Sequence, residues 1–305
     1  MMLLSVNSLW KCYSKLIRAI RKNTLTYWLA RRVPQLWRSR LLGAVERQLR
    51  EQFPVVPDKL YRVLGHQMYL DPRTEHGLGY ITGTFEQDVT KIFEMYIRPN
   101  TIVLDVGANV GFYTLLAASL VGEGGRVYAF EPQPDVRALL VRSVAVNGYK
   151  ARCQIVPLGV SNKAGTATFY LGSRDSIYAS LFANQNTEGT VIIETVTLDK
   201  FFAMEGWPSV DLIKMDIEGA EKYALEGMIE LSRRNPQLKL ILEYGVHTAH
   251  QAGYAQIELA KVLSELNFSK GFWIEGGMRE FMVEGAWPDT GYGNFLFTKE
   301  GIDDA

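Results

Sequence analysis

Apolar residues between positions 101 and 266 follow two alternating patterns, short continuous runs and longer stretches with helical spacing. The continuous runs predict buried strands at 101–106, 126–131, 153–158, 210–216 and 238–243. The periodic stretches between them predict helices at 111–121, 134–147, 219–232 and 254–266. Buried strands that alternate with helices predict a doubly wound α/β fold, in which a mostly parallel sheet carries helices on both faces.

The chain before residue 101 shows different patterns. Residues 60–71 predict two short strands joined by a tight turn. The glycine-rich stretch 73–83 predicts a loop. Thr84 and Gln87 fit a capping box, which predicts a helix that begins there and reaches about Ile97.

These patterns divide the chain into three parts. The first is a basic amphipathic helical arm at 1–53, and the second is a lead-in hairpin, loop and helix at 54–100. The third is a Rossmann-like domain at 101–305. This domain has a β insertion near 165–198 and final strands at 268–275 and 292–298.

The net charge of zero hides a strong asymmetry, because residues 1–50 contain eleven Lys and Arg and one acidic residue, Glu46. Trp10, Tyr13 and Leu16 lie on one side of this arm and basic residues on the other. Two interpretations stay open. The arm lies on an anionic membrane surface, or it packs on the rest of the chain or on a second subunit of a homo-oligomer. We expect no nucleic-acid partner, because aromatic and basic residues segregate here rather than interleave.

Composition excludes several classes of protein. With 47% hydrophobic and 22% charged residues the chain is not disordered. The two cysteines, Cys12 and Cys153, exclude a disulfide framework and suit a reducing compartment. No apolar run is long enough to span a membrane, and the opening MMLLSV is too short for a signal peptide. We therefore expect a cytoplasmic protein, with the arm raising the alternative of peripheral attachment to the cytoplasmic membrane face.

The first strand of the domain leads into a glycine-rich turn. The turn reads Asp105-Val106-Gly107-Ala108-Asn109-Val110-Gly111, and a helix follows it. Such a turn brings backbone N–H groups close to a ligand. A dinucleotide site requires glycine where Asn109 and Phe112 stand, and a carboxylate at Asp105 suits an ammonium rather than a phosphate. S-adenosylmethionine carries both an ammonium and a cationic sulfonium.

The second strand ends at Glu131, whose carboxylate can accept hydrogen bonds from both ribose hydroxyls of a nucleoside. After the third strand we expect backbone groups and Leu158 to contact the adenine. The predicted cofactor-binding residues are Asp105, Gly107, Ala108, Asn109, Gly111, Glu131, Pro132, Gly159 and Asp216.

Acidic residues also follow the fourth and fifth strands. Asp216 and Glu243 fall at carboxyl ends of strands, the edge where open α/β sheets bind ligands. Glu218 and Glu221 open the next helix, where they could serve the helix dipole alone. The predicted catalytic residues are Asp216, Glu243 and His247, with Asp216, or His247 oriented by Glu243, as the base. Asp216 and Glu243 offer oxygen ligands to a divalent cation, but we expect no required metal.

Together, the segments VLDVGANVGFYTLLAA, YAFEPQP, VDLIKMDIEGAEKYALEGM and LILEYGVH resemble the FkbM-type methyltransferases, over about residues 84–247. The resemblance implies a class I fold with a seven-stranded sheet and a reversed last hairpin. It also implies S-adenosyl-L-methionine as the cofactor and methyl transfer, usually to oxygen, on saccharides, glycolipids or other natural products. His247 lies further from Glu243 than in the frequent E-x-H arrangement of the family.

The resemblance also implies roles by position. It gives Asp105, Gly107, Asn109, Gly111 and Glu131 to the cofactor, and Asp216 to the region of the transferred methyl group. The function predicted is O-methylation of a saccharide, glycolipid or related small-molecule hydroxyl. Two alternatives stay open at this point, an NAD-dependent oxidoreductase or epimerase on the same fold and a non-catalytic scaffold that recruits partners to a membrane.

Overall fold

The computed structural model describes residues 59–72, 74, 76–172, 179–183, 187–288 and 291–299. The arm at 1–53, and with it the predicted contact with a membrane or a second subunit, lies outside the described residues.

The strands, in chain order, are β1 Lys59–Val63, β2 His66–Leu70, β3 Ile102–Val106, β4 Arg126–Phe130, β5 Cys153–Val156, β6 Gly159–Val160, β7 Gly165–Leu171, β8 Ala179–Ser180, β9 Gly189–Val196, β10 Leu212–Met215, β11 Lys239–Gly245, β12 Phe268–Trp273, β13 Arg279–Met282 and β14 Tyr292–Lys299. The helices are α1 Gly77–Thr82, α2 Gln87–Tyr96, α3 Phe112–Leu120, α4 Pro134–Val146, α5 Leu198–Met204, α6 Glu221–Glu226, α7 Ile229–Arg234, α8 Val246–Gln251 and α9 Gln256–Glu265.

The large sheet has the strand order β13-β12-β14-β11-β10-β3-β4-β5. The five strands from β11 to β5 are parallel, and β14 reverses direction against β11. The fold is therefore the expected α/β class with a reversed last hairpin. The sheet has one strand more than the resemblance implies, because the chain turns back at Gly276–Gly277 and pairs Arg279 with Trp273 at the sheet edge.

Apolar side chains cover both faces of this sheet. Successive residues of one strand, such as Val103 and Leu104, belong to different apolar clusters, because side chains alternate across a strand. Helix α3 packs with the cluster of Val103, and helices α6 and α9 pack with that of Leu104. The two layers of helices leave the carboxyl ends of the parallel strands open to a ligand.

The lead-in hairpin packs on helix α4. The backbone N–H of Tyr69 donates to Ser143 Oγ at 2.9 Å, and the Arg142 guanidinium lies 3.9 Å from the centre of the Tyr69 ring. The loop predicted at 73–83 is wrong in part, because α1 forms there. Gly77 serves close packing, since a Cβ there would lie 2.4 Å from the Asp71 carbonyl oxygen, and Gly83 ends the helix in a left-handed conformation.

Other boundaries differ in small ways. Helix α2 begins at Gln87 with Glu86 as its N-cap, and the expected capping box does not form because the Thr84 hydroxyl pairs with that of Thr82 at 2.8 Å. The helix expected at 219–232 is divided into α6 and α7 at Gly227. Strands β6, β9, β7 and β8 form a separate four-stranded sheet in the region of the expected insertion. Within the part of the chain described, no helix is long and apolar enough to cross a membrane.

Candidate functional site

A pocket opens at the carboxyl ends of the parallel strands. Its lining includes residues near the carboxyl ends of β3, β4, β10 and β11 and residues of the segments that follow β3, β4 and β10. The lead-in contributes Tyr80 and Phe85, whose rings pack on Phe112 at centroid distances of 5.0 and 5.2 Å. The small sheet contributes Phe169 and Ile193. Three separate parts of the chain therefore enclose one site.

The turn after β3 can form only with glycine at two positions. Gly107 has φ +86°, and a Cβ there would lie 1.9 Å from the carbonyl oxygen of Asp216. Gly111 has φ +98°, and a Cβ there would lie 2.5 Å from Leu140 Cδ1. Asn109 between them also has a left-handed φ of +50°. Gly107 brings β3 and β10 together under the pocket, and Gly111 seats helix α3 against α4.

Glu131 is held by backbone donors on both of its carboxylate oxygens. The N–H of Asn109 donates to Oε2 and the N–H of Gln133 to Oε1, each at 2.8 Å. Burial raises the pKa of Glu131 to about 7, although these hydrogen bonds and Arg137 act to lower it. Each oxygen keeps lone pairs for a further donor. The carboxylate is therefore fixed in place and suited to two neighbouring hydroxyls.

Asp105 is 2% exposed but lines the pocket. Thr114 Oγ1 donates to its Oδ2 at 2.5 Å. Burial raises the pKa of Asp105 to about 6, against the hydrogen bond from Thr114 and the charge of Lys214, which act to lower it. A cationic ligand group nearby would favour the ionised form of this carboxyl.

Negative charge dominates the pocket. Its lining contains six carboxyl groups, those of Glu86, Asp105, Glu131, Asp216, Glu218 and Glu243, and among the described lining residues Lys214 is the only lysine or arginine. Lys214 is fully buried, and its Nζ lies 3.1 Å from Asp216 Oδ2. Burial acts to lower the pKa of Lys214, but the neighbouring carboxylates, Asp216 first among them, raise it above its ordinary value. This balance favours a cationic ligand over a phosphate.

Three of the acids stand close together. Carboxylate oxygens of Asp216, Glu218 and Glu243 lie within 4.8 Å of one another. Burial, and then the charge of Asp216, holds the pKa of Glu243 well above its usual range. The oxygens of this cluster are of the type that binds divalent cations, and Lys214 already supplies one positive charge beside them.

Side chains from distant segments complete this end of the pocket. The Tyr113 hydroxyl donates to Glu86 Oε2, and Asn294 Nδ2 donates to Glu86 Oε1 at 3.0 Å. Tyr292 also lines the pocket, and burial, followed by the charge of Glu243, raises the pKa of its hydroxyl. Sequence reasoning did not identify Lys214, Tyr113, Tyr292 or Asn294 as site residues. Only Lys214 gave a signal, since it is a charged residue inside an otherwise apolar strand.

The structure brings most of the predicted site residues together. Those that line the pocket are Asp105, Gly107, Ala108, Asn109, Glu131, Pro132, Gly159, Asp216 and Glu243. Gly111 is not in the lining and acts on the packing of α3 instead. His247 lies exposed on α8 and is also outside the lining. Glu221 is buried and accepts backbone N–H groups of its own helix start, in keeping with a helix-end role.

Comparison with known proteins decides which cofactor the pocket takes. Residues 105–270, more than half of the chain, match the family model of the methyltransferase FkbM domain. The chain belongs to this family. Its cofactor is S-adenosylmethionine, which removes the NAD-dependent alternative.

Two curated relatives and one solved structure illustrate the family. Hexuronic acid methyltransferase AglP of Haloferax volcanii is 27% identical over 186 residues, which cover 60% of this chain and 70% of that protein. The 31-O-demethyl-FK506 methyltransferase FkbM of Streptomyces tacrolimicus is 29% identical over 161 residues, 43% of this chain and 61% of that protein. A crystal structure of methyltransferase FkbM from Methylobacillus flagellatus KT has a TM-score of 0.41 at 18% identity, covering 68% of this chain and 50% of that one.

The residues present fit S-adenosylmethionine. Glu131 offers two anchored oxygens to the ribose hydroxyls, and the acidic lining, Asp105 included, suits the ammonium and the sulfonium. Phe130, Leu158 and Val160 give the apolar lining that a purine requires.

Proposed function

We propose that this chain methylates a hydroxyl oxygen of a saccharide, glycolipid or related natural product. Support comes from the relatives, since AglP is named for a hexuronic acid and FkbM of Streptomyces tacrolimicus for an O-demethyl compound. The observation that carries the proposal is the close pair of carboxyl groups of Asp216 and Glu243, at the end of the pocket away from Glu131. A hydroxyl acceptor requires such a proton acceptor.

The strand register supports this division of the pocket into two ends. Asn294, Glu243, Asp216, Gly107 and Glu131 come level with one another on the adjacent strands β14, β11, β10, β3 and β4. Neighbouring strands are about 4.8 Å apart, so Glu131 and Glu243 are separated by about 14 Å. Glu131 would hold the nucleoside at one end, and Asp216 and Glu243 would receive the acceptor at the other.

The bound cofactor supplies an electrophilic methyl group on a positively charged sulfur. The chain contributes alignment of the acceptor hydroxyl and removal of its proton. We assign the proton to the Asp216–Glu243 pair as a unit. Two carboxyl groups this close share protons, and Lys214 stabilises the ionised form of the pair.

His247 is a weaker candidate for the base. His247 is exposed and lies outside the pocket lining, whereas Glu243, which would have to orient it, is buried within the lining. Asp216, in contrast, lines the pocket and is partly exposed to it. The proposal therefore rests on Asp216 and Glu243 and does not require the histidine.

The lead-in segment would exclude water from the reaction. Tyr80 is 4% exposed, and its ring stacks on that of Phe112. Phe85 packs edge-on against both. This aromatic cover lowers the local dielectric and strengthens the electrostatic contacts of the pocket.

An acceptor screen tests the proposed function. Radiolabelled methyl donor is offered with free and lipid-linked saccharides, and products are separated by their alkali stability, which distinguishes ethers from esters. We expect a labelled methyl ether with at least one saccharide. Labelled esters or methylamines only, from a chain that binds the cofactor, would refute O-methylation of a hydroxyl.

The predicted membrane contact of residues 1–50 is a separate part of this proposal. If the acceptor is lipid-linked, a basic amphipathic segment would bring the site to it. We expect the full chain to sediment with anionic liposomes at low salt and to lose this on removal of residues 1–50. Sedimentation unchanged by the deletion would contradict the membrane contact and leave the catalytic proposal intact.

A further inference from the structure

Glu221 is a buried acid next to the pocket, and the proposed reaction does not use it. It is 3% exposed and lies outside the pocket lining. The segment 216–219, here called the acid loop, carries Asp216 and Glu218 into the acceptor end of the pocket, which is the end at Glu243. We propose, on the basis of the proposed role of Asp216, that Glu221 is a positioning residue that holds the acid loop in place for methyl transfer.

The hydrogen bonds of Glu221 reach back into the acid loop. Its Oε1 accepts the backbone N–H of Ile217 at 3.2 Å and that of Gly219 at 3.1 Å. Its Oε2 accepts the hydroxyl of Tyr254 at 3.1 Å, and Tyr254 is itself buried in the connection between α8 and α9. One carboxylate therefore joins the acid loop to a buried side chain of a distant segment.

A helix-end role alone does not explain this placement. A carboxylate at the surface of the first turn is sufficient to complement the helix dipole. Glu221 is buried instead, and among the described residues no basic side chain forms an ion pair with it. Burial raises its pKa, against the backbone N–H donors, which act to lower it. Because burial of a carboxylate without a cation is costly, its hydrogen bonds to the acid loop indicate what it is there to hold.

The backbone of the acid loop requires such support. Glu218 has φ +53° and Gly219 has φ +98°, so two successive residues are left-handed. A left-handed residue with a side chain persists only where its surroundings hold it. Ser180 of β8 gives one support, since its Oγ donates to the Glu218 carbonyl oxygen at 2.6 Å. Glu221 gives the other, since it accepts the N–H groups on either side of Glu218.

The acid loop sets the position of Asp216 from its far end. The backbone N–H of Asp216 donates to the Val106 carbonyl oxygen at 3.0 Å, so β3 fixes the start of the loop. Glu221 fixes the loop one to three residues later. A displacement of about 1 Å in a reacting group can lower a rate by about 100-fold. Loss of the Glu221 contacts should therefore act on methyl transfer more than on the cofactor, which is held at the end of the pocket near Glu131.

Three variants of the full chain test the inference. Glu221→Ala removes the acceptor of both N–H groups, and Glu221→Gln keeps a carbonyl oxygen in its place. Tyr254→Phe removes the hydroxyl donor to Oε2 and leaves the carboxylate present. Glu226→Ala is the matched control at the other end of α6, where Glu226 pairs with Lys222 outside the lining.

Hydrogen exchange and kinetics are measured on each variant. Exchange resolved to single amides follows Ile217 and Gly219. The values of kcat and KM are measured with radiolabelled S-adenosylmethionine and a free saccharide labelled in the acceptor screen. In Glu221→Ala we expect exchange at both amides to be at least about tenfold faster and kcat to fall at least about tenfold, with the affinity for S-adenosylhomocysteine within about threefold of wild type.

The other variants assign the cause. Glu221→Gln should return both the exchange and kcat to within about threefold of wild type, and Glu226→Ala should change neither. If Glu221→Ala does not fold, Tyr254→Phe should still raise the exchange of both amides and lower kcat, each by about threefold.

The outcomes keep the two proposals apart. Faster exchange with an unchanged kcat would overturn the positioning role. A fall in kcat that Glu221→Gln does not restore, or an equal loss of cofactor affinity, would overturn the hydrogen bonds to the acid loop as its cause. If no saccharide is labelled, or if Asp216→Asn keeps its activity, the proposed function fails, and the exchange of Ile217 and Gly219 still decides whether Glu221 holds the loop.

Discussion

The two ends of the pocket are built in different ways. At the cofactor end, backbone N–H groups of the turn after β3 and of the start of α4 hold Glu131. At the acceptor end, side chains from three distant segments hold one another, namely Glu86 of the lead-in, Tyr113 of α3 and Asn294 of β14. A backbone cradle depends on local sequence and suits a cofactor shared by a family. A side-chain network can change residue by residue, and it suits the acceptor, which differs between relatives.

Replacing Asp216 gives the sharpest test of this division. In Asp216→Asn we expect methyl transfer to fall by about 10²- to 10⁴-fold, because the proton-accepting pair is lost. Cofactor affinity, measured by calorimetry, should change by less than about tenfold. Asp211→Asn is the control, since Asp211 accepts the Ile102 N–H at the other end of the same strand and its amide can do the same. Activity retained in Asp216→Asn would remove this residue from the base.

The turn itself can be broken with a single methyl group. In Gly107→Ala the new Cβ meets the Asp216 carbonyl oxygen in a backbone conformation that disfavours side chains. We expect the free energy of unfolding to fall by about 3 kcal/mol or more in denaturant titrations, with loss of cofactor binding. Gly148→Ala has a similar φ of +73° and no atom within 4 Å, so it should cost only about 1 kcal/mol. Equal losses of stability in the two variants would contradict the close contact between residue 107 and the Asp216 carbonyl oxygen.

The carboxyl group of Glu131 should leave a signature in the pH dependence of stability. Its pKa of about 7 in the folded chain exceeds the ordinary 4.5, so its favourable contribution is complete below pH 4.5 and is lost as the pH rises through 7. That contribution is about 3 kcal/mol, and glutamine does not titrate. The stability of Glu131→Gln relative to wild type should therefore improve by about this amount from acidic to alkaline pH. Parallel curves of stability against pH for the wild type and Glu131→Gln would show that burial does not raise the pKa of Glu131.

The side-chain network of the acceptor end should respond more weakly. Tyr113→Phe removes the hydroxyl donor to Glu86 and should lower the free energy of unfolding by about 1–2 kcal/mol, with cofactor affinity nearly unchanged. Tyr128→Phe serves as the control, because its hydroxyl makes only a 3.4 Å contact with Glu205. If Tyr113→Phe lowers the affinity for the cofactor more than the affinity for the acceptor, the two ends of the pocket are not built separately.

The same contrast explains which features sequence reasoning could find. The strands, the Gly107 turn and Glu131 follow from patterns within about 30 residues, so the sequence was sufficient to predict them. Asn294 and Glu86 meet across 208 positions of sequence, and no local pattern predicts their contact. The expected loop at 73–83 failed for a related reason, since Gly77 and Gly79 serve contacts with Asp71 and Phe85 that only the folded chain shows.

His247 illustrates the same limit. Its distance in sequence from Glu243 is short, but His247 is exposed on α8, whereas Glu243 is buried in β11. Proximity in sequence therefore did not place it in the pocket lining. Lys214 is the opposite case, because its charge within a buried strand was visible in the sequence and its partner, Asp216, lies only two residues away.

Calorimetric titration of S-adenosylmethionine and of NAD⁺ into the wild-type chain and into Glu131→Ala tests the central claim most directly, with Glu123→Ala, an exposed acid on the turn after α3, as the control. The account predicts that the wild-type chain and Glu123→Ala bind S-adenosylmethionine and give no heat with NAD⁺. It predicts that Glu131→Ala binds S-adenosylmethionine about 30-fold more weakly or worse, through the loss of two hydrogen bonds to a charged acceptor. Equal affinity in the wild type and Glu131→Ala, or tighter binding of NAD⁺, would contradict it.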